Sequence, residues 1–139
     1  MITKFSHVCL YVIDQDKAKD FYVNTLGFKL NTDVTMDNGF RWLSVNPPEQ
    51  PDLQVTLLSP LNGLMFQDEE VIKAFKVLLE KGALGAGVMN TPDCIATYEE
   101  LKSKGVQFTA QPKEQFYGIE AIITDGCGNW FSMTQPKQM

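Results

Sequence analysis

The chain reads as an α+β protein made of two tandem βαβββ modules, and two observations carry that reading. The first is order: a strand-like run, a short helical stripe, a glycine and further strands occur in the N-terminal half and again in the C-terminal half. The second is spacing. Gly27 and Gly105 are 78 positions apart, as are Ala18 and Ala96, and the closing pairs Ser59-Pro60 and Gln135-Pro136 are 76 apart. A drift of two residues is an ordinary loop difference, so the chain is an internal duplication. Each copy, of about 55 residues, is too small to bury a good core alone and needs its twin. The expected organisation is one domain, with module one at 1–60, a connecting helix at 61–84 and module two at 85–139.

The elements follow in order. Residues 3–12 alternate, with Val8, Leu10 and Val12 on one face and Phe5, His7, Cys9 and Tyr11 on the other. Both sets are fairly apolar, which predicts that both faces are covered. Asp14 or Asp16 caps a helix whose stripe is Ala18, Phe21, Tyr22 and Thr25, and Gly27 ends it as a left-handed residue. Residues 28–34 form a strand, Met36-Asp37-Asn38-Gly39 a hairpin turn, and 40–45 the next strand. Asn46-Pro47-Pro48-Glu49-Gln50-Pro51 cannot pair in a sheet, and 53–58 is the fourth strand. Asp68-Glu69-Glu70 opens the connecting helix, with an apolar stripe of Val71, Ala74, Phe75 and Leu78 and a stop at Gly82.

Module two repeats the plan. Residues 85–90 are a strand rich in small residues. Thr91-Pro92-Asp93 caps a helix with Pro92 at its first position, and the stripe is Ile95, Tyr98 and Leu101. Residues 106–108 and 118–124 are strands, 125–129 a turn that exposes Cys127, and 130–135 the last strand.

Composition narrows the function. The 44% hydrophobic content supports a real core, and 21% charged residues argue against disorder. No apolar run reaches the length of a membrane span, and the N-terminus lacks a signal-peptide pattern, so the expected compartment is the cytoplasm. Cys9, Cys94 and Cys127 are odd in number and widely spaced, which suits a reducing compartment. Net charge is −5, and the basic residues are scattered, which excludes a phosphate-tracking nucleic-acid surface. No P-loop, dinucleotide fingerprint or Ser-His-Asp order is present.

The strings Lys17-Ala18-x-x-Phe21-Tyr22-x-x-x-Leu26-Gly27-Phe28 behind His7-Val8-Cys9-Leu10-Tyr11-Val12, then Ala96-Thr97-Tyr98-Glu99-Glu100-Leu101-Lys102-x-Lys104-Gly105, Tyr117-Gly118 and Asp125-Gly126-x-Gly128-Asn129-Trp130-Phe131, together resemble the vicinal oxygen chelate superfamily. Its members include glyoxalase I, extradiol dioxygenases, fosfomycin resistance proteins and bleomycin-binding proteins. The resemblance implies curved mixed sheets around a cavity, and in many members a homodimer. It also implies a divalent metal at four positions, on the first and last strands of each module.

Those four positions carry weak ligands here. The first is His7, the only histidine in the chain. The second falls at Thr56, or at Gln54 with a two-residue slip; the third at Ala86 or Gly85; the fourth at Ser132, where the family places a glutamate. A metal needs three or more good ligands. His7 is the only standard one remaining, so no metal or other cofactor is expected, with a site of His7, Gln54 and Glu120 as the exception to consider. His7 then reads as a cavity-wall residue, a polar contact for a ligand, or a general base.

The candidate ligand pocket is His7, Tyr11, Trp42, Gln54, Thr56, Glu120, Trp130 and Ser132. Thr56 and Ser132 are 76 apart and should be equivalent, either offering hydroxyls to a ligand or satisfying nearby backbone. Phe40, Trp42, Tyr117 and Trp130 read as core or as an aromatic pocket, and Glu120 as cavity-facing or a surface charge. The leading expectation is a family member with a degenerate metal site that binds a small organic ligand. A glyoxalase-like lyase, isomerase or dioxygenase with a non-standard metal site at His7 is one alternative. An antibiotic-sequestering binding protein is the other.

Overall fold

The computed structural model describes residues 1–138. Its elements are β1 (His7–Tyr11), α1 (Gln15–Lys19), a π-helical continuation (Asp20–Thr25), β2 (Lys29–Thr35), β3 (Arg41–Asn46) and β4 (Gln54–Leu58). Then come α2 (Glu69–Glu80), β5 (Leu84–Asn90), α3 (Cys94–Ser103), β6 (Phe108–Gln115), β7 (Gly118–Thr124) and β8 (Asn129–Pro136). The strands form two four-stranded mixed sheets, ordered β1-β4-β3-β2 and β5-β8-β7-β6. In each, the first strand runs parallel to the last and the other pairs are antiparallel. The duplication in sequence is thus a duplication of topology.

Local chemistry explains the element ends. The extended Asp14 accepts a hydrogen bond from the Lys17 amide, Asp68 from those of Glu70 and Val71, and Asp93 from that of Ala96. Gly27 (φ 80°) and Gly105 (φ 87°) take the left-handed conformation that ends the helix of each module. Pro92 precedes the Asp93 cap, so it stands outside the helix and not at its first position.

Strand alternation decides what is buried. Leu43 and Val45 of β3, Val55 and Leu57 of β4, Ala121 and Ile123 of β7, and Phe131 and Met133 of β8 meet in one core with Ala18, Tyr22, Tyr98 and Leu101 from the helices. Each large side chain there contributes about 1.5–3 kcal/mol of transfer free energy. Both sheets therefore give one face to a shared core, and the other face of each is turned away from it. On β1 that second face is open, contrary to the expectation of cover on both sides: His7 and Cys9 are exposed.

Two helix faces also differ from the sequence reading. In α2 the covered residues are Ile72, Phe75 and Leu79, while Val71 and Leu78 are 36% and 40% exposed. Seven apolar side chains surround this helix on nearly all sides, so tertiary contacts choose the stripe: Phe75 packs on Tyr11, and Leu79 lies against Gly128. In α3 the buried set is Cys94, Tyr98 and Leu101; Ile95 is 55% exposed, and the Cys94 thiol reaches the Met133 carbonyl.

The modules are joined by a buried polar node. Tyr22 Oη donates to Asp125 Oδ2 at 2.8 Å, and Asn129 Nδ2 donates to the Tyr11 carbonyl at 2.8 Å. The Ile13 amide donates to the Cys127 carbonyl at 3.0 Å. This contact corrects the expected exposure of Cys127, which is 1% exposed because its turn is pressed against module one.

Candidate functional site

On the outer face of sheet one, His7, Cys9 and Tyr11 of β1 stand beside Gln54 and Thr56 of β4 and Trp42 and Ser44 of β3. The register pairs His7 with Gln54, and Thr56 with both Cys9 and Ser44. The His7 ring sits edge-on to Trp42, centroids 6.1 Å apart, and its Nδ1 lies 2.8 Å from Ser6 Oγ. Phe40 extends the aromatic strip, 6.5 Å beyond Trp42. Ser44 Oγ donates to Gln54 Oε1 at 3.0 Å, which ties up the carbonyl that Gln54 would offer a metal. Thr56 Oγ1 donates to the Val8 carbonyl at 3.3 Å, so this hydroxyl serves the backbone. Tyr11 is half-covered by Phe66 and Phe75, centroids 5.9 and 4.9 Å away. Burial pushes both the Cys9 thiol and the Tyr11 phenol above their ordinary values, which keeps them protonated.

The outer face of sheet two is a second, different cluster. Register sets Glu120 opposite Thr134, Ile122 opposite Ser132, and Thr124 opposite Trp130. Glu120 is half-buried, and its carboxylate is held from two sides. Tyr117 Oη donates to Oε1 and Ser132 Oγ to Oε2, each at 2.6 Å. Ser132 Oγ also lies 2.5 Å from Thr134 Oγ1. The bond to Glu120 raises the Tyr117 phenol, so it stays a proton donor. The Trp130 indole lies across Gly85: a Cβ at that position would meet Trp130 Cζ2 at 3.0 Å. Its Nε1 donates to the Ala83 carbonyl at 3.3 Å. The small residues of β5 thus make room for an indole that is 39% exposed.

Of the eight sequence candidates, five share one sheet face and three share the other. Among the described residues, no hydrogen bond or ring contact joins the two sets. Sequence reasoning passed over Ser44, Phe66, and the Tyr117 and Thr134 hydroxyls around Glu120. Only Tyr117 carried a usable signal, as an aromatic read as core or pocket that lies three positions before a carboxylate.

The metal implied by the fold finds no matching donor set. Among the described residues, no three His, Cys, Asp or Glu side chains come together to hold an ion. At the family positions only His7 is a strong ligand, and the register places Val88, not Ala86, opposite Ser132. On the core side, an apolar crevice of about 670 Å³ opens between the modules, lined by Val8, Leu10, Phe28, Val55, Met89 and Phe131 among others.

Two polar sheet faces backed by a shared core, each from one βαβββ copy, define the class of fold. Residues 4–133 match the Glyoxalase/Bleomycin resistance protein/Dioxygenase superfamily, and the chain belongs to that superfamily. Among solved structures it is similar to UcmS2, at 39% identity and TM-score 0.88, covering 96% of this chain and 98% of that one. It is also similar to TnmS3, an antibiotic binding protein from Streptomyces sp. CB03234, at 30% identity and TM-score 0.74, covering 98% of each chain. The uncharacterized protein YurT of Bacillus subtilis is 32% identical over 126 residues, 91% of this chain and 94% of its own length. No helix among the described residues is long and apolar enough to cross a membrane.

Proposed function

We propose that this protein binds a small organic molecule with a flat aromatic part, and holds it without turnover on a site whose metal-binding character has degenerated. The observation that carries the reading is the chemistry of the outer faces. Each offers an aromatic platform, Trp42 with His7 or Trp130, beside polar groups already oriented by hydrogen bonds. Such a surface stacks and orients an uncharged ring system better than it coordinates an ion. The similarity to an antibiotic binding protein supports sequestration as the biological use.

The reading extends to a homodimer. One chain presents its two faces in different directions, and β1 and β5 end their sheets with one edge unpaired in each. A second copy packed along the open edges of β1 and β5 would bring Trp130, Ser132 and Glu120 of one chain over His7, Trp42 and Gln54 of the other, closing a pocket.

Tryptophan fluorescence titration with a planar polycyclic probe such as 1-naphthalenemethanol tests the reading. Saturable binding should survive a chelator and weaken at least about tenfold in Trp42→Ala, equivalent to about 1.4 kcal/mol. Sedimentation should show a dimer. One divalent ion per purified chain that is lost in His7→Ala, or turnover of a hemithioacetal with added nickel or zinc, would replace this reading with the glyoxalase-like one.

A further inference from the structure

We infer that Glu120 makes the site selective for a ligand that carries a protonated amine, with Glu120 as the specificity-determining residue. The inference rests on the reading of the outer faces as the binding surface, and three observations carry it.

The carboxylate is rigidly set. Two hydroxyls donate to it, one on each oxygen, both at 2.6 Å. Each oxygen keeps a free acceptor direction, because a carboxylate offers about four lone-pair sites.

Among the described residues, the carboxylate has no cationic partner. Among the described residues, the ion pairs within 4.0 Å are Lys19 with Asp33, Arg41 with Asp16 and Asp33, and Lys104 with Glu100; none involves Glu120. Lys113 is its cross-strand neighbour on β6 but stands outside that distance. Every other buried or half-buried carboxylate that takes two or more side-chain donors among the described residues has a clear structural use. Asp33 clamps α1 to β3, and Asp125 clamps the modules. Tyr117 and Ser132 lie on the same hairpin sheet as Glu120, so their bonds lock no distant elements together.

The surroundings suit an aromatic amine. Ser132, which holds the carboxylate, is two residues from Trp130 on the same strand face, a rise of about 7 Å. An ammonium group at Glu120 makes charge-assisted hydrogen bonds to the carboxylate, while the Trp130 indole, which leans toward β5, offers its exposed face to the aromatic ring of the same ligand. Half-burial leaves these interactions only partly screened.

A matched probe series tests this on the intact protein: 1-naphthylmethylamine, 1-naphthalenemethanol and 1-naphthoic acid, which share a ring and differ in charge. The amine should bind at least about tenfold more tightly than the acid. Glu120→Gln should bring the two within about twofold. In the wild type, added salt should weaken the amine and not the alcohol, a readout that needs no variant. Equal affinities in the wild type, or a preference that persists in Glu120→Gln, overturns the role of Glu120 and leaves the binding reading standing. Failure of all three probes to bind overturns the binding reading, and this inference with it.

Discussion

Replacing Tyr22 with phenylalanine deletes one oxygen from the joint between the modules. That oxygen is fully buried and donates to Asp125 Oδ2 at 2.8 Å. Asp125 also accepts from the amides of Cys127 at 2.7 Å and Asn129 at 3.0 Å, and from Asn129 Nδ2 at 2.9 Å. The variant therefore removes one of four bonds to a buried carboxylate and leaves the ring packing intact. Hydrogen bonds to charged groups contribute about 1.5–3 kcal/mol, and the surviving Asn129 contact to the same oxygen favours the lower half of that range. A loss of about 2 kcal/mol is expected. With an unfolding entropy of about 2.1 cal/mol/K per residue, that loss lowers Tm by ~7 °C. Urea unfolding measures the change directly, and the m-value should stay constant because the native fold is retained. Tyr98→Phe is the control: its ring packs on Phe108 at 4.7 Å, but among the described residues its hydroxyl makes no hydrogen bond. The reasoning is refuted if Tyr22→Phe lies within about 0.5 kcal/mol of wild type, or matches Tyr98→Phe.

Four further outcomes are expected. Gly128→Ala should cost about 3 kcal/mol or more in chemical denaturation, because φ is +114° and the new methyl would lie 2.9 Å from Leu79 Cα. Gly27→Ala, with φ +80° and open space around it, should cost only about 1 kcal/mol. Hydrogen bonds from Arg41 and Lys19 hold the Asp33 carboxyl well below its ordinary value. A lowered folded value stabilises the native state fully above the unfolded value of about 3.9, and the effect is lost as pH falls through the folded value. The stability advantage of wild type over Asp33→Asn should therefore be present at neutral pH and shrink in acid, read from urea midpoints across the range. A disulfide-exchange reagent at mildly alkaline pH should label Cys9 first in the native protein. Cys127, buried and pushed up to about 12 mainly by burial, should react only on unfolding.

What was legible from sequence was the part written in short-range chemistry. The 78-residue offset between Gly27 and Gly105 marks two helix ends that share one backbone conformation. Asp14 and Asp93 announce the helices they cap. Strand parity also placed His7 and Tyr11 on the face opposite Val8 and Leu10, as observed. The rest depended on contacts across long separations. Nothing near Cys127 says that its turn meets Ile13, more than a hundred residues away. The face of α2 was ambiguous because apolar side chains surround it, and Tyr11 and Gly128 decide it. Parity tells which candidate site residues share a sheet face, but not how two sheets turn relative to each other. For that reason the split between His7, Trp42 and Gln54 on one sheet and Glu120, Trp130 and Ser132 on the other appears only in three dimensions. The holder of Glu120 was equally hidden, since Ser132 reaches it through the β7–β8 register.

The outward turn of the two faces has a consequence for how binding would be measured. In the proposed reading, a lone chain offers a ligand two open shelves, each carrying part of the pocket. If a pocket is closed by two copies, as proposed above, occupancy and assembly are thermodynamically linked: ligand strengthens the pairing of chains, and dilution weakens both. Apparent affinity would then vary with protein concentration. A titration at nanomolar chain and one at micromolar chain would report different dissociation constants for the same molecule.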